Sequence, residues 1–129
     1  IKPFENVIRT TLRNFNVDEQ FIWLAAIESG GKSNAESEKG ASGLWQLTSN
    51  TSEHYGCKER SDIGCSTKAA AKYLSKLLTD FDEDKWSAIV GYNMGGTNYR
   101  KHRKPTSEAK HLANTVTCLM REHPYVYSD

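Results

Sequence analysis

The sequence encodes an all-α domain of about six to eight helices, α+β at most, with any extended segment confined to a small strand or loop near residues 33–40 or 57–65. Three observations predict this. Nearly every apolar stretch repeats at three and four residues, the spacing that gathers side chains on one helix face. The stretches are bounded by capping residues, glycines or a proline. The 129 residues, 37% of them hydrophobic, suit one modest core, and no repeat, linker or low-complexity tract divides residues 1–129.

Phe4, Val7, Ile8, Leu12 and Phe15 form the first stripe, which ends at Asn16. Asp18 is the N-cap expected for a second helix carrying Phe21, Leu24, Ala25 and Glu28 on one side, and Gly30 and Gly31 stop it. Residues 33–39 are polar and read as a loop. Ser42 caps a short helix through Leu47, and Asn50 caps another that reaches Tyr55, with Gly56 as its terminator. Ser66 opens the most regular helix, whose stripe of Ala70, Tyr73, Leu74, Leu77, Leu78 and Phe81 suits a central packed element. Asp84 opens the next, with Trp86, Ile89, Val90 and Asn93 on one face and Met94-Gly95-Gly96 at its end. The basic run from Tyr99 to Lys104 reads as a solvated loop, and a last helix runs from about Ser107 to His123, where Pro124 prevents its extension.

Charge excludes some partners. Seventeen basic and sixteen acidic residues leave no global field to attract nucleic acid or an anionic membrane, and no nucleic-acid motif accompanies the basic run. No apolar run is long enough to cross a bilayer, so no transmembrane segment is expected in this chain. It begins at Ile1 instead of Met, and a processed product, periplasmic or secreted after loss of an export signal, is the expectation. Three cysteines bear on the same question. Cys57 and Cys65 flank the polar stretch KERSDIG, which a disulfide would stiffen, whereas three reduced thiols would mark a reducing compartment. Cys118 is left over, pointing away from the apolar stripe of its helix. A zinc site from His54, Cys57 and Cys65 lacks a fourth ligand and a common spacing, so neither metal nor cofactor is expected.

Three segments carry the candidate chemistry: AAIESGG from Ala25, GASGLWQL from Gly40 and GYNMGG from Gly91. Glu28 closes an otherwise apolar helix, where its neighbours and the negative end of the helix dipole disfavour ionisation. A carboxyl kept protonated near neutral pH can donate a proton to a departing alcohol, the difficult step in cleaving a glycosidic bond. A helix-end glutamate facing water is the plain alternative. Gln46 lies off the face of Leu44 and Leu47 and is free to enter a groove. Asn93 shares the face of Ile89 and Val90 and so needs partners, while Tyr92 lies one step around.

The order of ES at Glu28 and Ser29, then GASGLWQL, ERSDIGCSTKAAAKYL from Glu59 and AIVGYNMG from Ala88 resembles the lytic transglycosylases of the goose-type lysozyme superfamily, most closely the membrane-bound lytic murein transglycosylase D type. The resemblance spans about Phe21 to Tyr99. It implies a lysozyme-like domain with a substrate groove, Glu28 as sole catalytic acid and base, Ser29 and Gln46 near the sugars, and Tyr92 and Asn93 closing the site. The partner it implies is a peptidoglycan glycan strand, cut by a monomer at the MurNAc-β-1,4-GlcNAc bond to leave a 1,6-anhydro end. Family members commonly carry an aromatic residue and a proline after the ES pair, and methionine or phenylalanine with proline after GLWQ. This chain instead has Gly31 and Ser33, then Thr48-Ser49-Asn50.

Two alternatives compete. A hydrolytic muramidase needs a second carboxylate, for which Asp62 is the candidate, although the same residue reads more readily as a loop brace before the Ser66 cap. Glu36 and Glu38, in the loop that follows Glu28, would favour a cationic, de-N-acetylated glycan. A weakly catalytic glycan-binding module, docking through the groove and the basic run, is the other alternative.

Overall fold

The computed structural model describes residues 2–123, and the expected stop at Pro124 lies outside them. Among the described residues there are seven α-helices and two 3-10 turns, with no strand. A 3-10 turn, Lys2–Phe4, leads into α1, Glu5–Asn14. Its inner face is Ile8 and Leu12, both fully buried, while Val7 is 48% exposed and falls outside the stripe expected for it. Arg9 is buried instead, its guanidinium donating to Glu5 at 2.9 Å and to Glu19 at 2.7 Å. Asp18 caps as expected, accepting from the Gln20 amide at 2.8 Å. The turn it opens is 3-10, Glu19–Phe21, before α2, Ile22–Ser29, takes over.

The short helix expected from Ser42 to Leu47 does not form. Gly43 has φ 84° and Gln46 φ 50°, which no right-handed helix accommodates. Isolated antiparallel bridges take its place, Glu36 with Ser42 and Ser42 with Leu47, so the segment is a folded loop. Its anchor is Trp45, fully buried, whose indole N–H donates to the Thr67 hydroxyl at 3.0 Å.

Two helix starts move. Thr48 caps α3, Ser49–His54, in place of Asn50, its side chain accepting from the Thr51 amide. Asp62 caps α4, Ile63–Asp80, in place of Ser66, which is buried one turn inside the helix. Among competing polar side chains the one in extended backbone just before the turn wins, because only there does its oxygen reach the free N–H groups. Inside the same segment Cys57 and Cys65 form a disulfide, with Cα atoms 5.4 Å apart, which removes them as zinc ligands. Cys118 is exposed and free.

Asp84 caps α5, Lys85–Met94. Six consecutive residues, Ser87 to Tyr92, are buried, and α5 packs against α4, α6 and α7. It is therefore the central helix, where the sequence favoured α4; burial on every side erases the amphipathic stripe that makes α4 legible. Gly91 allows the close approach, since a Cβ there would lie 3.0 Å from Leu77 and 3.1 Å from Phe81. Most of the basic run is helical: Tyr99 to His102 form the end of α6, Gly96–His102, where Arg100 pairs with Asp80 at 3.3 Å, and Arg103 follows as its left-handed cap with its guanidinium 5.2 Å from the Phe81 ring centre. Thr106 then caps α7, Ser107–Glu122.

Candidate active site

A groove of about 380 Å³ runs between the loop of residues 37–48 and helices α2, α3, α4, α5 and α7, and Glu28, Gln46, Tyr92 and Asn93 line it together. Glu28 stands in the last turn of α2, which Gly30 terminates in left-handed conformation at φ 63°. Its carboxyl is half-buried, and no hydrogen bond reaches it from the described residues. Burial, reinforced by the negative charge of Glu108, pushes its pKa from 4.5 up to about 7.

The amides are held in different ways. Gln46, in left-handed backbone, donates both amide hydrogens, to the carbonyls of Ala35 at 3.0 Å and Gly43 at 2.8 Å. Its Oε1 is what remains for a ligand. The loop beneath is stapled by Arg60, whose Nη1 donates to the carbonyls of Gly40 and Leu47, each at 2.8 Å. Gly43 passes so near Arg60 that a Cβ would lie 2.1 Å from its carbonyl oxygen, and glycine is required there. Asn93 is half-buried at the groove wall, and its side-chain amide, which the sequence marked as in need of partners, has none among the described residues. Tyr92 is buried. Its hydroxyl donates to the Trp45 carbonyl at 2.6 Å, and burial, with Glu28 a smaller cause, holds the phenol pKa well above its ordinary value.

Ser29 is not brought to the groove. Its hydroxyl is buried, donating to the Ala25 carbonyl at 2.8 Å and accepting from the Gly31 amide at 3.1 Å, so it braces the end of α2 behind Glu28. Asp62 does not line the groove either; its exposed carboxylate accepts from the Cys65 amide at 2.9 Å as the cap of α4. Glu36 and Glu38 are exposed and also lie off the groove. Tyr73, Lys39 and Glu108, to which the sequence reading gave no part in the site, are among the other residues that line it. Tyr73 stood out as the polar member of the α4 stripe, and its half-buried ring packs 5.3 Å from that of Tyr92. Nothing local marks Glu108, which reads as an ordinary acid in the first turn of a helix.

A helical, lysozyme-like domain with a groove arranged about one half-buried acid is the class of protein that this fold and site define. Residues 6–114 match the transglycosylase SLT domain family, and the chain belongs to it. It is 29% identical over 100 residues to membrane-bound lytic murein transglycosylase D of Escherichia coli K12, covering 73% of this chain and 22% of that protein. Identity to membrane-bound lytic murein transglycosylase F is 32% over 112 residues in Pectobacterium atrosepticum, 80% of this chain and 23% of the relative. In Mannheimia succiniciproducens it is 40% over 81 residues, 56% and 17%. The chain thus spans about a fifth of the length of these relatives.

Proposed function

We propose that this domain is a peptidoglycan lytic transglycosylase acting at the MurNAc-β-1,4-GlcNAc bond, and that Glu28 is its acid and then its base. The observation that carries the reading is the Glu28 carboxyl itself, half-buried in the groove, without a donor among the described residues and with its pKa pushed up to about 7. Such a group holds its proton at neutral pH yet can lose it in the reaction. Glu28 protonates the glycosidic oxygen as the C1–O bond breaks. The resulting carboxylate then takes the proton of the muramoyl C6 hydroxyl, whose oxygen attacks C1. The bond formed is the 1,6-anhydro bridge, Glu28 is protonated again, and no water is consumed. The Gln46 Oε1 and the Asn93 amide supply an acceptor and a two-way hydrogen-bonding group at the groove wall, suited to sugar hydroxyl and acetamido groups.

The wall lies outside the cytoplasm, and the Cys57–Cys65 disulfide supports a periplasmic or secreted site of action. No helix among the described residues is long and apolar enough to cross a membrane. A hydrolytic muramidase is the second reading, and one observation favours it: the groove holds another carboxylate, Glu108. Mass spectrometry of fragments from purified peptidoglycan separates the two. Anhydro ends, lighter by one water than reducing ends, are the expected result, and reducing ends alone would overturn the transglycosylase reading. Binding without turnover would leave a glycan-binding module.

A further inference from the structure

Glu108 stands in the first turn of α7, next after the Thr106 cap residue and Ser107. Its side chain is 67% exposed, and its one polar partner among the described residues is Lys39, whose ammonium Nζ lies 3.5 Å from Oε2. Lys39 comes from the loop on the other wall, so the pair joins the two walls of the groove that contains Glu28. An exposed pair at this distance contributes little to stability, and the fold does not explain it. The remaining titratable groups lining the groove are Tyr73 and Tyr92, phenols whose pKa values burial raises, so both stay neutral through the working range. Glu108 and Lys39 are therefore the charged side chains that line the groove with Glu28, and they are paired with each other.

We propose that Glu108 is a positioning residue that acts through Glu28, its carboxylate holding the Glu28 carboxyl in the proton-donating form while Lys39 limits that influence by pairing with it. The inference rests on the reading of Glu28 as the acid. Its physical basis is that a neighbouring negative charge disfavours the ionised form of a carboxyl, and that a cation beside the pair does the reverse. The field of Glu108 is the second cause, after burial, of the high proton affinity of Glu28. Because Glu108 and Lys39 are both largely in water, each effect is screened and amounts to a few tenths of a pH unit, on the order expected for exposed charges.

The test is a carbon-13 NMR titration of the Glu28 carboxyl in the wild type, Glu108→Gln and Lys39→Met, with Glu28→Gln to assign the resonance. The midpoint should fall by a few tenths of a pH unit in Glu108→Gln and rise by a similar amount in Lys39→Met. Both displacements should shrink as salt is raised to about 0.5 M, where the Debye length approaches the size of the pair. An unmoved midpoint in either variant, or displacements of the same sign, overturns the assignment. The basic limb of kcat/KM should move with the midpoints. If the midpoints shift in opposite directions in a protein that cleaves no peptidoglycan, the coupling stands and the proposed function fails.

Discussion

The Tyr92 hydroxyl donates to the Trp45 carbonyl at 2.6 Å, so the C-terminal part of α5 grips the backbone one residue before Gln46. The same Trp45 is held from the α4 side by its indole bond to Thr67. Between them these contacts hold the backbone on the N-terminal side of Gln46, which has a φ of 50° and lines the groove. The two walls are thus joined through buried polar bonds, and the position of Gln46 relative to Glu28 depends on Tyr92.

Tyr92→Phe tests that dependence. The ring still packs, but the Trp45 carbonyl loses its donor in a buried setting, which costs about 1 to 3 kcal/mol. Urea unfolding should show that loss, and kcat/KM should fall between about 10- and 100-fold as Gln46 loosens. Stability reduced with turnover unchanged would show that the bond only holds the fold.

Glu28→Gln separates chemistry from stability. Cleavage should be abolished, because the amide keeps the shape and cannot transfer the proton. The folded pKa is raised, so the stabilising contribution of Glu28 is fully present below the unfolded value of 4.5 and is lost as pH climbs through about 7. Ionised Glu28 is therefore a liability at alkaline pH. The variant should be more stable than wild type at pH 8 by on the order of 2 to 3 kcal/mol, with the gain vanishing toward pH 4. A clear destabilisation at pH 8 would mean that the carboxylate has a structural partner.

Much of this was legible in the sequence, and the failures share a cause. Glu28, Gln46, Tyr92 and Asn93 stood out because each breaks an apolar or glycine-rich pattern, and the structure gathers them in one groove. Ser29 stood out equally and does not reach it, since a serine at a helix end finds backbone partners within two to four residues. The caps at Thr48 and Asp62 were misplaced because Asn50 and Ser66 are equally good cap residues and only backbone geometry chooses between them. Glu108 and Lys39 meet only through tertiary structure, and no local pattern records such a meeting.

The pH dependence of turnover follows from the same carboxyl. The form that donates the proton is the one present below about pH 7, so kcat/KM should fall tenfold per unit above that value. A profile flat to pH 9 would show that a different group supplies the proton.

Asp62 distinguishes a cap from a catalyst. Asp62→Ala removes the acceptor for the Cys65 amide and should cost about 1 kcal/mol, whereas Asp62→Asn keeps an oxygen there and should cost a few tenths. Both variants should still give anhydro products at rates within a few-fold of wild type. Inactivity of Asp62→Asn as complete as that of Glu28→Gln would restore Asp62 as a reacting carboxylate.

The disulfide ties that cap to the compartment in which the protein works. Cys57 and Cys65, eight residues apart, close a loop that contains Asp62, so the bond restrains the N-terminus of α4 as well as the unfolded chain. Closure of so short a loop is worth about 2 to 3 kcal/mol in the chain-entropy account, and Cys57→Ser with Cys65→Ser should lower Tm by roughly 6 to 15 °C. The helical core does not depend on it, so far-ultraviolet dichroism should be retained below the new Tm. Coupling is the sharper measure. If the disulfide holds Asp62 at its cap position, Asp62→Ala should cost less in the double-serine background than in the wild type. Equal costs would make the two features independent. Thiol counting on protein from its native source, unfolded without reductant, should find Cys118 alone. Three thiols there would place the domain in a reducing compartment, where a wall polymer is out of reach.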